Sequence, residues 1–477
     1  MSGRLLRVPR RGPGPAPTGR ARRWRAHSLP AGALARAAAA WLGTYTATDG
    51  VRATRRPRAS RAGRALGDVV TDLIVVGAGL TGLFAAWQAA RRGAQCTLVT
   101  SGRGGLELSS GCLGIASSGP PRRQVADAAL PHPYALVGLE ALRRAVDDLL
   151  GLLEASHLPY AGGLESNLEL PTAAGGTTCA AYAPRSLARV LDAGDGPVTL
   201  AGFTGFRDFD SVLAANRLSA RLKRPVAAAD LPLPGSLPLR DLYSTDLARR
   251  FEDPDWLAQA CAAWRPILIG VRNLGLPAVL GFRQHASVIA AIEEFLELTV
   301  FEIPTLPPCL PGLRLESALR EACLASGVDL IEGATAIGRV DGRNAGARAS
   351  GIIAQTAGGP HVIDAGAVLL ATGDLLHGGL VARQSGRLQE SVFDLPVVHS
   401  TDRSTWTAPH LSDPQPYATF GLRVDAHMRP LGADGAPLIP NLFAAGGLLA
   451  GARRTEEGSR QGIGLATAWR AVESAVP

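Results

Sequence analysis

The chain has 477 residues, of which 46% are hydrophobic, and 49 Lys and Arg stand against 41 Asp and Glu, a formal net charge of +8. No apolar run reaches the roughly 18 residues that indicate a transmembrane helix. The six cysteines include no C-x-x-C pair, which excludes the usual spacing of iron–sulfur and structural zinc sites. Scattered cysteines in a chain of this length are typical of reduced thiols in the cytoplasm.

Residues 1–68 form an Arg-, Pro- and Ala-rich extension. They hold 15 Arg and two Asp, a net charge of +13, so the remaining residues carry a net charge of −5. This composition favours disorder, and a mildly acidic body does not favour nucleic-acid binding. Two other interpretations stay open: a twin-arginine export signal at Arg22 and Arg23, or an extension that arises from start-site choice, with translation beginning at Val69 or Val70.

A glycine turn follows the first expected strand, Asp72–Val76, and precedes an expected helix over Leu83–Arg92. In the pattern G-x-G-x-x-G the first glycine makes a tight turn, the second lets the backbone approach a phosphate, and the third allows close packing of helix on strand. Amides at the start of the helix then face the phosphate charge. The expected cofactor-binding residues here are Gly77, Ala78, Gly79, Leu80, Thr81 and Gly82.

The second strand, expected over Ala94–Thr100, lacks the acidic residue that binds an adenosine ribose at this place in many dinucleotide-binding proteins. Either the hydroxyls of Thr100 and Ser101 replace the acid, or the ligand lacks the AMP half, as FMN does, or the change is ordinary variation. Cys112, a little further on, is interpreted as a packed side chain rather than a redox thiol. Small residues that would let a loop approach a flavin precede it at Ser109, Ser110 and Gly111.

The middle of the chain, residues 121–365, is expected to form one or more inserted α/β domains. Helices are expected over 139–155, 213–223, 258–274 and 313–326. No spacing of titratable residues forces acid–base cooperation, so no catalytic residue is assigned, and no metal site is expected. The titratable candidates considered are His132, Tyr134, Arg207, Asp208, His285 and Arg314, with His377 in a glycine-rich turn nearer the flavin.

Two further glycine turns complete the pattern of a flavin-binding protein. One ends a buried strand that begins at Val368, and the other ends a strand that begins at Asn441 and precedes a helix over Leu465–Val476. Their amides are expected to face the ribityl chain or the pyrimidine end of a flavin. Gly447 stands where common FAD proteins carry an acidic residue. The expected flavin contacts here are Thr372, Gly373, Gly446, Gly447, Gly462, Ile463 and Gly464.

These elements predict a Rossmann-like, doubly wound α/β domain of the FAD/NAD(P)-binding kind, formed by residues 69–120 and 366–477. Several motifs narrow the assignment further, because in this order they resemble the B subunits of anaerobic sn-glycerol-3-phosphate dehydrogenase. The motifs are Ser109–Leu113, Pro131–Tyr134, Gly202–Phe209, Pro304–Pro308, Gly378–Val381 and Asn441–Gly446.

The resemblance implies a protein that binds FMN, with FAD as the alternative, in a three-subunit complex on the inner face of the cell membrane. The companion A subunit would carry FAD and oxidise sn-glycerol 3-phosphate to dihydroxyacetone phosphate. The companion C subunit would carry iron–sulfur clusters and pass electrons to quinone. Two alternatives stay open. One is a self-sufficient FAD-dependent oxidoreductase resembling fumarate reductase flavoproteins, which needs an Arg/His set that the sequence does not locate; the other is a non-catalytic scaffold.

Overall fold

A computed structural model of the chain describes residues 71–190, 194, 196–235, 242–339 and 348–476. The predicted extension over residues 1–68 lies outside the described residues. Among the helices that are described, none combines the length and apolar character that crossing a membrane requires.

Strands form a mixed seven-stranded sheet, a parallel four-stranded sheet and three two-stranded antiparallel pairs. The strands, in chain order, are β1 (Thr71–Val76), β2 (Cys96–Thr100), β3 (Tyr160–Gly162), β4 (Leu168–Pro171), β5 (Thr177–Ala180), β6 (Tyr182–Pro184), β7 (Val198–Phe203), β8 (Val226–Leu231), β9 (Asn273–Pro277), β10 (Thr299–Ile303), β11 (Asp329–Glu332), β12 (Thr335–Arg339), β13 (Gly351–Thr356), β14 (Gly359–Leu370), β15 (Leu380–Ala382), β16 (Leu388–Glu390) and β17 (Leu442–Ala444).

Helices pack against both sheets. They are α1 (Leu80–Arg91), α2 (Pro121–Ala126), α3 (Pro133–Ala155), α4 (Arg185–Ala188), α5 (Ser211–Leu222), α6 (Ser244–Phe251), α7 (Pro254–Trp264), α8 (His285–Leu296), α9 (Leu310–Ala325) and α10 (Arg460–Ala475). Short 3₁₀ turns lie at Leu106–Leu108, Arg403–Thr405, Pro416–Thr419 and Gly446–Leu448.

The first sheet contains five parallel strands in the spatial order β11, β2, β1, β14, β17. Leu73, Ile74 and Val75 of β1 are fully buried, because helices cover both faces of such a sheet and favour a continuous apolar run. Strands β2 and β14 lie on opposite sides of β1. Since ligands bind where the strand order reverses in this way, a crevice is expected at the carboxyl end of β1.

Strand β14 belongs to two ladders. Its first half pairs antiparallel with β13, from Gly359 opposite Thr356 to Asp364 opposite Gly351, and its second half runs parallel to β1. Strands β11 to β13 therefore join the first sheet, whereas the sequence assigned residues up to 365 to the insertion. The domain limits themselves stay a prediction.

The second sheet has four parallel strands in the order β10, β9, β7, β8 and a hydrophobic core of its own. Phe203 stacks on Trp264 with ring centroids 5.5 Å apart. The five parallel strands of the first sheet and the four of the second, with helices packed on them, confirm the predicted fold class.

All six predicted helices differ from the structure at one end or both: α1 begins three residues before the expected Leu83, α3 begins six residues before the expected 139, and α5 begins two residues before the expected 213. Helix α7 ends at Trp264, and Leu274, expected in the same helix, lies fully buried in β9. Gly275 beside it packs against the Phe301 ring, where an added Cβ would lie only 2.6 Å away, so the short apolar run is a strand. Helix α9 begins three residues before the expected Leu313, and α10 begins five residues before the expected Leu465.

Candidate functional site

A cleft of about 930 Å³ crosses the carboxyl ends of the five parallel strands. Neighbouring strands lie about 4.8 Å apart, so the row from β11 to β17 spans roughly 19 Å. The glycine turns that follow β1, β14 and β17 all border this one cavity. The predicted residues that line it are Gly77, Ala78, Gly79, Leu80, Thr81, Thr100, Ser101, Ser109, Ser110, Thr372, Gly373 and Gly447.

The first turn has the backbone geometry that the glycine pattern predicts. Gly77 has φ +107°, and a Cβ there would lie 2.4 Å from the Ala371 carbonyl oxygen. A Cβ at Gly82 would lie 1.8 Å from the Gly77 carbonyl oxygen, so Gly82 packs beneath the turn and not on the cleft. The first amides of α1 have no acceptor within the helix, and they face the cavity with the positive end of the helix dipole.

Gly104 also shapes this turn, although the sequence did not single it out. A Cβ at Gly104 would lie 2.2 Å from the Gly79 N and Cα atoms and 2.4 Å from the Ala78 carbonyl oxygen. By contrast, the contact nearest to a Cβ at Gly79 is the Gly104 carbonyl oxygen at 3.4 Å. The segment after β2 therefore packs against the Gly77–Gly82 turn through the close approach of Gly104 to Gly79.

At the end of β2, one of the two hydroxyls considered as substitutes for the missing acid is already engaged, while Ser101 lines the cleft. The Thr100 hydroxyl donates to the Gly102 carbonyl oxygen at 2.6 Å and accepts from the Gly102 N–H at 3.3 Å. That hydroxyl is therefore used within its own turn. The Ala334 N–H donates to the Thr100 carbonyl oxygen at 3.0 Å, which brings residues 334–336 to the β11 end of the cleft.

The glycines around α10 are used mainly for packing. The Gly446 N–H donates to the Thr467 Oγ1 at 2.9 Å, and the Gly462 N–H donates to the Gly114 carbonyl oxygen at 3.0 Å. Cβ atoms at Gly446 and Gly464 would each lie within 2.7 Å of the Thr81 Oγ1. Because α10 starts at Arg460, residues expected in a turn belong to the helix. The predicted contacts that do not line the cleft are Gly82, Gly111, Gly446, Gly462, Ile463 and Gly464.

His132 and Tyr134, both candidates from the sequence, brace the segment that leads into α10. His132 accepts from the Tyr134 N–H at 3.1 Å and caps α3, while its Nε2 lies 3.0 Å from a Glu457 carboxylate oxygen. The Tyr134 hydroxyl donates to the Ile115 carbonyl oxygen at 3.0 Å. Neither side chain lines the cleft, so both have structural roles.

Acidic and basic side chains on the cleft form a group of which sequence reasoning had named only His377 as a candidate. Arg454 is 5% exposed at its side chain, and its Nη2 lies 3.4 Å from Asp374 Oδ2. The other Asp374 oxygen accepts from His377 Nδ1 at 2.7 Å and from the Leu376 N–H at 2.9 Å. The acidic and basic residues of the lining are Arg103, Glu107, Asp374, His377, Arg454 and Arg460.

Two polar atoms of the lining are buried without a hydrogen-bond partner among the described residues: Thr372 Oγ1 and Glu107 Oε2. Buried polar groups in native proteins are almost always paired. These open positions, together with the glycine turns and the amides of α1, fit a ligand that has both a phosphate and polar ring atoms.

Comparison with known proteins agrees with this site. The FAD binding domain family matches residues 72–463. A Halobacterium salinarum protein, named as a probable B subunit of anaerobic glycerol-3-phosphate dehydrogenase, is 31% identical over 427 residues, which cover 84% of this chain and 97% of that protein. The chain belongs to the FAD binding domain family and to the family of these B subunits. The B subunit of Pectobacterium carotovorum is 30% identical over 84% of this chain and 97% of its own length.

Among solved structures, 3-ketosteroid Δ1-dehydrogenase from Sterolibacterium denitrificans aligns with 85% of this chain and 99% of its own, at 12% identity and a TM-score of 0.41.

His285 and Arg314 lie away from the cleft and form part of a buried network. Arg314 donates to both oxygens of Glu302, at 2.7 and 3.0 Å, and Ser186 donates to the same carboxylate at 2.9 Å. Burial alone would raise the pKa of Glu302, but Arg314 and then His285 hold it below its usual value. Burial, followed by the charge of Arg314, lowers the pKa of His285 to about 4. The network joins α9 to the second sheet.

The remaining candidates are not catalytic groups of the cleft. Arg207 and Asp208 are not among its lining residues. Cys112 does line it, but burial raises the pKa of its thiol to about 11, so the thiolate form is rare at neutral pH. Cys179, also on the lining, is exposed.

Proposed function

We propose that the chain is the flavin-binding B subunit of an anaerobic glycerol-3-phosphate dehydrogenase. It takes part in oxidising sn-glycerol 3-phosphate to dihydroxyacetone phosphate and passes electrons towards quinone. Relatives that are named as B subunits of this enzyme align with 84% of the chain. The observation that carries the flavin assignment is the meeting of three glycine turns, after β1, β14 and β17, on one cleft.

The chain's own groups bind and orient the ligand, and a bound flavin supplies the electron-carrying chemistry. The amides that begin α1 at Leu80 and Thr81 bind the phosphate, since they lack acceptors within the helix. The Thr372 hydroxyl gains a partner on the ring or ribityl chain, because it is buried and unpaired among the described residues. The fully buried β1 and β14 residues beneath the turns hold these groups in place.

We propose FMN as the flavin, with FAD as the alternative. FMN lacks an adenosine ribose, which suits a β2 that ends without an acid and whose Thr100 hydroxyl is used in its own turn. FAD is the alternative because the cleft continues to residues 334–336, where the AMP half of FAD would lie. Chromatography of the flavin released from the purified chain separates the two: FMN supports this choice, and FAD overturns it.

The proposed partners are the FAD-containing A subunit and the iron–sulfur C subunit, in the cytoplasm and at the inner face of the cell membrane through those partners. The naming of the relatives as B subunits supports membership of a complex. Co-expression with both companion chains tests this. We expect glycerol 3-phosphate to reduce the flavin of the chain only when the A subunit is present. Absence of reduction in the full complex would contradict the proposal.

A second candidate, a self-sufficient FAD-dependent oxidoreductase, is favoured by one observation. The structure places Arg454, Arg460 and His377 on the cleft, and these are the residue types that the sequence alone did not bring together. If the chain by itself reduced a dye acceptor when given glycerol 3-phosphate, this second function would replace the first.

A further inference from the structure

Arg454 and Asp374 form an ion pair on the wall of the cleft at its β17 end. Asp374 follows β14, and Arg454 lies between β17 and α10. The Asp374 amide is next to Gly447, where an added Cβ would lie 3.3 Å from it. Thr100 and residues 334–336, which follow β2 and β11, border the opposite end. The pair is therefore remote from the place where an adenosine would bind and close to the third glycine turn.

The two charges are held in a fixed arrangement. The Arg454 Nη1 donates to the Leu449 carbonyl oxygen at 3.0 Å, while its Nη2 faces Asp374 at 3.4 Å. His377 and the Leu376 N–H occupy the second oxygen of Asp374. Of these groups, Arg454 is the most deeply buried, at 5% exposure of its side chain. Because the guanidinium is buried and both of its Nη atoms have partners, we expect it to keep its position when a ligand enters.

Both members of the pair are charged at neutral pH. Burial alone would raise the pKa of Asp374, but the hydrogen bond and charge of His377, followed by the charge of Arg454, hold that pKa well below its usual range. Burial lowers the pKa of Arg454, and Asp374 opposes that effect; an arginine nevertheless remains protonated in proteins. At this end of the cleft wall a cation and an anion therefore face each other 3.4 Å apart.

We propose that the Arg454–Asp374 pair sets the reduction potential of the flavin bound in this cleft. The inference rests on the flavin-binding function proposed above. Reduction places extra electron density on the flavin ring, which a nearby cation stabilises and a nearby anion destabilises. These effects are large where water is excluded, because the effective dielectric constant is low. An intact pair keeps the potential intermediate, and loss of either partner shifts it in a defined direction.

Two single variants of the full chain, each reconstituted with FMN, test the proposal. Arg454→Gln leaves the Asp374 carboxylate unbalanced by arginine, so we expect reduced flavin to bind at least tenfold more weakly relative to oxidised flavin. Asp374→Asn leaves the arginine unbalanced, so we expect a shift of similar size in the opposite direction. For a two-electron couple a tenfold change is about 30 mV, which spectroelectrochemical titration resolves.

Three more variants separate a charge effect from a packing effect. Arg454→Lys keeps the positive charge, so its flavin is expected to have a reduction potential close to that of the wild type. The double variant Arg454→Gln, Asp374→Asn removes both charges, and its reduction potential is also expected to lie near that of the wild type. Arg453→Gln is the matched control: its side chain is 47% exposed and pairs with Glu456, and it does not line the cleft. We expect its potential to equal that of the wild type.

The outcomes distinguish this inference from the function on which it rests. Failure of the wild-type chain to bind flavin would refute the flavin-binding function. Normal binding with an unchanged potential in Asp374→Asn would refute the inference alone, as would shifts of the same sign in Asp374→Asn and Arg454→Gln. If Arg454→Gln does not fold, an upward shift in Asp374→Asn still supports the proposal, and its absence still overturns it.

Discussion

Replacing Gly104 with alanine inserts a methyl group between two segments that meet at the cleft. The new carbon would lie 2.2 Å from the Gly79 N and Cα atoms and 2.4 Å from the Ala78 carbonyl oxygen. Ordinary contacts of a Cβ atom begin near 3.4 Å. Both neighbours are backbone, which cannot rotate aside as a side chain could, so the segments must separate by about 1 Å or more.

The size of the effect follows from this overlap. Overpacking of this kind costs about 1 to 3 kcal/mol, and about 1.4 kcal/mol corresponds to a tenfold change in an equilibrium constant. The separation moves the backbone at Gly79, and with it displaces the Leu80 and Thr81 amides from the position in which they would bind a phosphate. We therefore expect Gly104→Ala to weaken flavin binding at least about tenfold while the sheet beneath stays folded.

Titration of the apoprotein with flavin, followed by flavin fluorescence, measures the change, and thermal unfolding checks that the variant is folded. Gly163→Ala is the matched control, since no described atom lies within 4 Å of its added Cβ and Gly163 is not a lining residue. An unaltered dissociation constant in folded Gly104→Ala would show that the phosphate does not bind where these two segments meet.

Three further perturbations test other parts of the structure. Alkylation of the native protein is expected to modify Cys179, which is exposed, and to spare Cys112, because burial raises the pKa of its thiol. Bound flavin is expected to slow the reaction at Cys179, which lines the cleft. Equal rates of Cys179 modification with and without flavin, measured by mass spectrometry, would contradict this expectation. The pKa of His285 falls from 6.5 to about 4 on folding, so as pH falls the unfolded chain binds the proton first, and the free energy of unfolding should decrease between about pH 6.5 and pH 4. Urea unfolding at several pH values should show that this free energy depends less steeply on pH in His285→Asn than in the wild type. The same pH dependence in both proteins would refute that role. Gly82→Ala places a Cβ 1.8 Å from a backbone oxygen and should lower the midpoint of thermal unfolding. Gly151→Ala is the control: its Cβ meets no described atom within 4 Å, so it should stabilise α3 by up to about 1 kcal/mol. Equal midpoints for the two variants would count against the tight turn at Gly82.

Local patterns predicted the parts of the fold that depend on neighbouring residues. The apolar run ending at Val76 identified a buried strand, and the glycine spacing from Gly77 to Gly82 identified a turn with a helix behind it. The left-handed backbone at Gly77 and the overlap at Gly82 follow from that spacing. Such features can be read from the sequence because each is decided within a few residues of the chain.

Contacts between distant segments could not be predicted in this way. Gly104 contacts Gly79 although β2 lies between them in the chain, and Arg454 pairs with Asp374 although they are 80 residues apart. Neither pair has a spacing that marks it. The early start of α10 at Arg460 belongs with a contact of the same kind, since a Cβ added at Gly462 would lie 2.2 Å from the Tyr134 hydroxyl, which is distant in sequence. Tertiary packing decided these features, and it overrides local preference.

An experimentally determined structure of the purified protein with its natural flavin tests the central claim most directly. We expect the flavin phosphate within hydrogen-bonding distance of the Leu80 and Thr81 amides and the ring between Thr372 and Gly447. A flavin bound elsewhere, or a protein that purifies without any flavin and does not take it up, would contradict the proposed flavin-binding function.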